Sequence, residues 1–199
     1  MGFSISWIAV RHKTPDTVLE ELSLKRTGEM SEYPEAPICG RTLPEGWFML
    51  VFGEIDHPLV TTQSFAAISK DCDAVICSIE EHVMLATSEL WRNGEQIWRI
   101  EHDAQQSIDH IEVSGNLPSE YAVIVKEYAA QQENAGGKKA DTDYFFEIPL
   151  QIAKNIVGFK HDESDFQDEG FEEFQTVTVS SKIRPTAVVE EIPQPELPK

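Results

Sequence analysis

The hydrophobic pattern begins at once. Phe3-Ser4-Ile5-Ser6-Trp7-Ile8-Ala9-Val10 alternates and then turns wholly apolar, as a strand running into a core does. Thr14-Pro15-Asp16 marks a helix start. Threonine can cap, proline fits the first turn where its missing N–H is not needed, and aspartate suits the positive end of the helix dipole. Val18, Leu19 and Leu22 supply the apolar stripe of this short helix. Residues 23–33 read as a weaker edge strand, and Pro34, Pro37, Gly40, Pro44 and Gly46 punctuate a long loop. Trp47 to Phe52 is a continuous apolar strand, residues 59–70 a helix with Phe65 and Ile68 inward, and Ala74 to Ile79 a further buried strand. The order β-α-β-β-α-β is the split-βαβ or ferredoxin-like arrangement.

A three-stranded meander follows, over residues 83–113. Asn93-Gly94 between alternating runs predicts a two-residue hairpin turn, because a type I′ turn needs positive φ at both central positions. Closing it pairs Arg92 with Glu95, Leu90 with Ile97, Glu89 with Trp98 and Leu85 with His102. A second hairpin, looping over Ala104 to Ser107, pairs His102 with Asp109, Ile100 with Ile111 and Trp98 with Val113. One face then carries Val83, Leu85, Trp91, Trp98, Ile100, Ile111 and Val113, and the other Ser88, Arg99, Glu101, His110 and Glu112. An antiparallel sheet with a single buried face has this division.

Asn116 and Pro118 open a helix with the stripe Tyr121, Ile124, Val125 and Tyr128, ending before the loop Gly136-Gly137-Lys138-Lys139. Tyr144 to Ile148 reads as a short strand, and Pro149 starts a helix with Ile152, Ala153 and Ile156 inward and Gly158 as its stop. The expected fold class is therefore α+β: a mixed or antiparallel sheet, ferredoxin-like in its first half, extended by the meander and two helices. A single domain over 1–160 is followed by an acidic, proline-containing tail over 161–199, expected to be partly disordered.

Charge sharpens this picture. The 199 residues carry a net charge of −19. Residues 1–158 hold 25 acids against 12 Lys/Arg, and residues 159–199 hold 10 against 4, so most of the excess belongs to the expected body. Such a charge repels nucleic-acid phosphates and anionic membrane surfaces, and it attracts a basic protein partner. No apolar run approaches the length of a membrane span. The N-terminus lacks the basic start and cleavage site of a signal peptide, and Cys39, Cys72 and Cys77 form an odd set without C-x-x-C spacing. These features point to the reducing cytoplasm.

Candidate chemistry is sparse. His102 and Asp109, cross-strand neighbours in the predicted register, are the one catalytic candidate, since a carboxylate beside imidazole orients its tautomer and raises its basicity. Glu81, His82, His102, Asp103 and His110 match no metal-ligand spacing, so no metal is expected. With no G-x-G-x-x-G and no G-x-x-x-x-G-K, no nucleotide cofactor is expected either. The acidic-aromatic segment 161–175 is the binding candidate. Phe166, Phe171 and Phe174 set among Glu172, Glu173 and further acids suit a basic groove with apolar pockets.

The opening Met1 to Val10 and the stretch Ile97-Trp98-Arg99-Ile100-Glu101-His102-Asp103 resemble small uncharacterised bacterial cytosolic proteins over residues 1–160. That resemblance implies no assigned activity and carries no site residue across. Charge and missing motifs together lead to a non-enzymatic acidic interaction protein, of the immunity or inhibitor type, that meets a basic partner. The alternative is a small enzyme or ligand-binding domain at the rim of the meander around His102 and Asp109.

Overall fold

The computed structural model describes residues 2–163 and 170–177. The fold is α+β, and the described residues form nine strands and four α-helices. In chain order these are β1 (Ser4–Arg11), α1 (Pro15–Glu21), β2 (Leu24–Ser31), β3 (Ile38–Thr42), β4 (Trp47–Phe52), α2 (Thr62–Ile68) and β5 (Asp73–Glu80). The second half holds β6 (Leu85–Arg92), β7 (Glu95–Asp103), β8 (Glu112–Gly115), α3 (Tyr121–Asn134), α4 (Glu147–Val157) and β9 (Phe171–Thr176). One open sheet runs β2-β9-β3-β4-β1-β5-β6-β7-β8, and every neighbouring pair is antiparallel.

Local chemistry accounts for the helix starts. Thr14 accepts the Thr17 N–H at 3.2 Å ahead of Pro15, and Thr61 caps α2 by accepting the Ser64 N–H, also at 3.2 Å. Val18 and Leu19 of α1, Leu22 just past its end, and Phe65 and Ile68 of α2 cover one face of the sheet, against Ile8, Val10, Phe48, Leu50, Phe52, Ala74 and Ile76. On the opposite face α4 lays Leu150, Ala153 and Val157 over Trp7, Met49, Val51, Val75 and Cys77. The central strands β4, β1 and β5 are thus covered on both sides, which is why they read as continuous apolar runs. Further out, α3 places Ile124, Tyr121, Val125 and Tyr128 against Trp98 and Ile100 of β7.

The ferredoxin-like order is not confirmed. The crossover β4-α2-β5 does bracket β1, but β3 and β9 stand between β4 and β2, where that order would put β2 directly beside β4. β3 forms inside the stretch read as a loop. Gly40 makes this possible: a Cβ there would lie 2.2 Å from the Met49 carbonyl oxygen, so only glycine allows the strand to approach β4. β9 comes from the segment assigned to the tail, so the sheet extends past the expected boundary at residue 160. Its insertion connects β2 to the rest of the sheet, since among the described residues β2 pairs only with β9. The expected strand over Tyr144–Ile148 does not form; α4 begins at Glu147.

The meander register is corrected in two places. Arg92 pairs with Glu95 as expected, with Asn93 and Gly94 at φ 53° and 83°. The pairing then slips by one, so that Leu90 faces Trp98 and Leu85 faces Asp103, leaving Ile97 as the extra residue of a bulge. Trp91 and Trp98 consequently pack on opposite faces, Trp91 against Phe65 and Trp98 beneath α3. On the other side β8 pairs Ile100 with Val113 and Trp98 with Gly115, two residues beyond the expected register. Val83 and Val113, placed on the apolar face by the pattern, are exposed.

Candidate functional site

The β6–β7 pairing sets His102 opposite Ala86, on the face that α4 covers, and its side chain is wholly enclosed. The His102 Nδ1 lies 2.7 Å from the His110 carbonyl oxygen, and Nε2 lies 2.8 Å from Asp143 Oδ2. The other carboxylate oxygen of Asp143 accepts the N–H groups of Phe145 and Phe146 at 3.0 and 3.1 Å, fixing the entry to α4. The Phe146 ring meets the imidazole edge-on at 6.4 Å. His110 Nδ1 in turn accepts the Asp103 N–H at 3.0 Å. One buried histidine thus joins β7, the β7–β8 loop and the start of α4.

Asp109 is not its partner. The longer β7–β8 loop carries Asp109 to the surface, where Lys138 Nζ stands 2.7 Å from its carboxylate. Hydrogen bonds from Lys138 and then Ser107 hold the Asp109 carboxyl below its ordinary range. With both ring nitrogens engaged, His102 offers no free lone pair to a substrate. Grooves of about 520, 440 and 710 Å³ lie along α1, β2 and α2, and His102 lines none of them. Asp143 is the residue that pattern reading missed. An aspartate ahead of the apolar run Phe145-Phe146 is a helix-start signal. Gln132 was also missed; buried on α3, it donates to the Gly137 and Thr142 carbonyls at 2.8 and 3.2 Å and accepts the Tyr144 N–H at 2.8 Å.

A second histidine–carboxylate contact lies past the far end of α4. His161 Nε2 stands 3.0 Å from Glu81 Oε1, and the other oxygen of Glu81 accepts the Phe3 N–H at 2.8 Å. His161 Nδ1 is buried and has no hydrogen-bond partner among the described residues. Phe159, between this contact and α4, packs edge-on against Trp7 at 5.7 Å.

The binding candidates in the acidic segment go elsewhere than expected. Phe171 is buried among Cys39, Met49 and their neighbours on the α4 face, and Phe174 beside Phe48 on the α1/α2 face. Three residues apart on a strand, the two rings point to opposite sides of the sheet and close the protein's own core. Glu172 forms an ion pair with Arg26, which also holds Asp16 at 2.8 Å. Glu173 accepts the Thr27 hydroxyl at its carbonyl, 3.1 Å away, and its charge adds to burial in pushing the Cys39 thiol up to about 12. Phe166 lies outside the described residues.

Among the described residues the meander presents an extended polar face. On the meander face turned away from α3 and α4, Thr87, Glu89, Arg99 and Glu101 are half-buried and Glu112 is exposed. Glu89 accepts from Trp91 Nε1 at 2.7 Å and Gln96 Nε2 at 2.6 Å and lies 3.4 Å from Arg99, which also pairs with Glu101. Glu80 continues the row. Hydrogen bonds from Ser4 and His82 hold its carboxyl below the ordinary range.

Among the described residues no group of three or more His, Cys, Asp or Glu side chains is placed to hold a metal ion, and no helix is long and apolar enough to cross a membrane. The three thiols are free and buried, with burial pushing Cys72 up to about 11 and Cys77 well above its ordinary value. No family model, curated protein or solved structure matches the chain.

Proposed function

We propose that the protein is a non-enzymatic acidic binding protein of the cytosol, of the immunity or inhibitor type, that neutralises a basic protein partner. The observation that supports it is the half-open meander face, where Glu80, Glu89, Glu101 and Glu112 stand in a row and Arg99 pairs with Glu89 and Glu101. Carboxylates spread on a rigid sheet give a field that steers a basic surface and falls off with salt. The overall charge of −19 adds to that field and opposes binding to nucleic acid. The same reading takes the fold as a split-βαβ core, widened by β3 and β9.

The test is capture of basic proteins on the immobilised full chain. A partner should be retained at low salt and released at about 0.5 M, where the Debye length falls below about 5 Å. A Glu101→Lys, Glu112→Lys double variant with an unchanged circular-dichroism spectrum should lose that partner. Retention of nothing at any salt concentration, or equal retention by the reversed-charge variant, overturns the proposal.

A further inference from the structure

We propose that His102 and Asp143 form a two-proton clasp that fastens the α3–α4 connection and the β7–β8 loop to the sheet, and that loss of one proton opens it. The reason is the chemistry of the partners. A backbone carbonyl can only accept a hydrogen bond, and so can an ionised carboxylate. His102 faces one of each, the His110 carbonyl at 2.7 Å and Asp143 Oδ2 at 2.8 Å. Filling both contacts takes two protons shared between the imidazole and the carboxyl, which a neutral ring beside a carboxylate does not have.

The other titratable groups on the elements around the ring leave this count unchanged. From the β7–β8 loop, the His110 ring stands 6.4 Å away and is already tied to the Asp103 N–H through its own Nδ1. Across β6 the facing residue is Ala86, and just ahead of α4 stands the uncharged Phe146. Asp109 and Lys138 join the same two segments at the surface and engage each other. Among the described residues Asp143 is therefore the carboxylate bonded to the ring.

When a proton passes to solvent, a ring lone pair must face either the His110 carbonyl or the Asp143 carboxylate. Two acceptors at that separation repel, so one contact separates. The segments that move are residues 104–111, 140–146, or both. The His161–Glu81 contact is the internal control. It takes a single ring proton on Nε2, since among the described residues Nδ1 has no acceptor to serve, and a neutral histidine satisfies it.

The experiment follows the full chain over about pH 5 to 9, the range in which imidazole protonation is ordinarily read. Ring-nitrogen NMR reports the protons on His102, and hydrogen exchange, expressed as protection factors, reports opening. At the acidic end both His102 ring nitrogens should read as protonated. As pH rises, protection of 104–111 or 140–146 should fall by about tenfold per pH unit, the slope of a one-proton linkage, while β1 and β5 hold. Asp143→Asn supplies the decisive variant. Its amide oxygen keeps the contacts to the Phe145 and Phe146 N–H groups, and its NH2 donates to Nε2 of a ring carrying one proton, so the pH-dependent loss should vanish. A neutral His102 ring beside an ionised Asp143 with both segments fully protected, or the wild-type pH dependence persisting in Asp143→Asn, overturns the clasp. The wild-type nitrogen spectrum decides alone should the variant not fold.

Discussion

The centre of the sheet and its meander edge are built from the same kind of strand, yet they solve different problems. β4 is buried at all six positions because helices cover it from both sides. In β7, Trp98, Ile100 and His102 are buried while the intervening Arg99 and Glu101 stay half-open. The centre is held by apolar area removed from water, in amounts that ordinary core substitutions measure directly. At the edge, polar groups that are individually weak in water also hold the structure, except where one is enclosed, as His102 is.

The sharpest way to break this comparison is to cut one side chain from each region. Phe52, fully buried in β4, should cost about 3–5 kcal/mol as Phe52→Ala, because the cavity cannot collapse between two covered faces. Val113→Ala on the exposed side of β8 should stay within about 0.5 kcal/mol. Urea denaturation of both variants checks this, and similar losses in the two would show that the edge is as tightly packed as the centre. Phe174→Ala comes next, at about 3 kcal/mol, since a peripheral site relaxes more readily. Its particular signature is local: β2, held in the sheet by β9, should lose hydrogen-exchange protection before β1 does.

The same contrast explains what could be read from the sequence. The doubly covered strands declared themselves as apolar runs, and Thr14-Pro15 and Asn93-Gly94 carried their local geometry in the residues themselves. Features that depend on distant packing were not legible. The turn fixed the pairing of Arg92 with Glu95, but nothing local marked the bulge at Ile97 that shifts every later pair. Gly115 holds a related secret: at φ 80° a Cβ would come within 2.1 Å of the Ile97 carbonyl, so the glycine marks a close crossing visible only once β8 is in place. Phe171 and Phe174 broke the period of two because each serves a different face, and so they looked like a docking motif. The partner of His102 lies 41 residues away, beyond any hairpin arithmetic.

Smaller effects separate two acids paired with arginine, one enclosed and one half-open. Asp73 is 8% exposed, with Arg11 at 3.0 Å and Arg92 at 2.5 Å. Burial pushes its carboxyl up, but the hydrogen bonds from Arg92 and Arg11 outweigh that and leave it below the ordinary range. A carboxyl lowered in the folded state stabilises above its unfolded titration and loses that contribution as pH falls through the lowered value. Asp73→Asn should therefore cost about 2 kcal/mol at neutral pH and flatten the acid limb of the stability curve. Glu101→Gln, on the half-open meander face beside Arg99, should cost under about 1 kcal/mol, and raised salt should shrink the difference further. Measuring both variants by urea denaturation at neutral and acidic pH, and at low and high salt, tests whether enclosure separates them. If Glu101→Gln costs as much as Asp73→Asn, the meander face is covered rather than open, and the surface offered to a basic partner is lost with it.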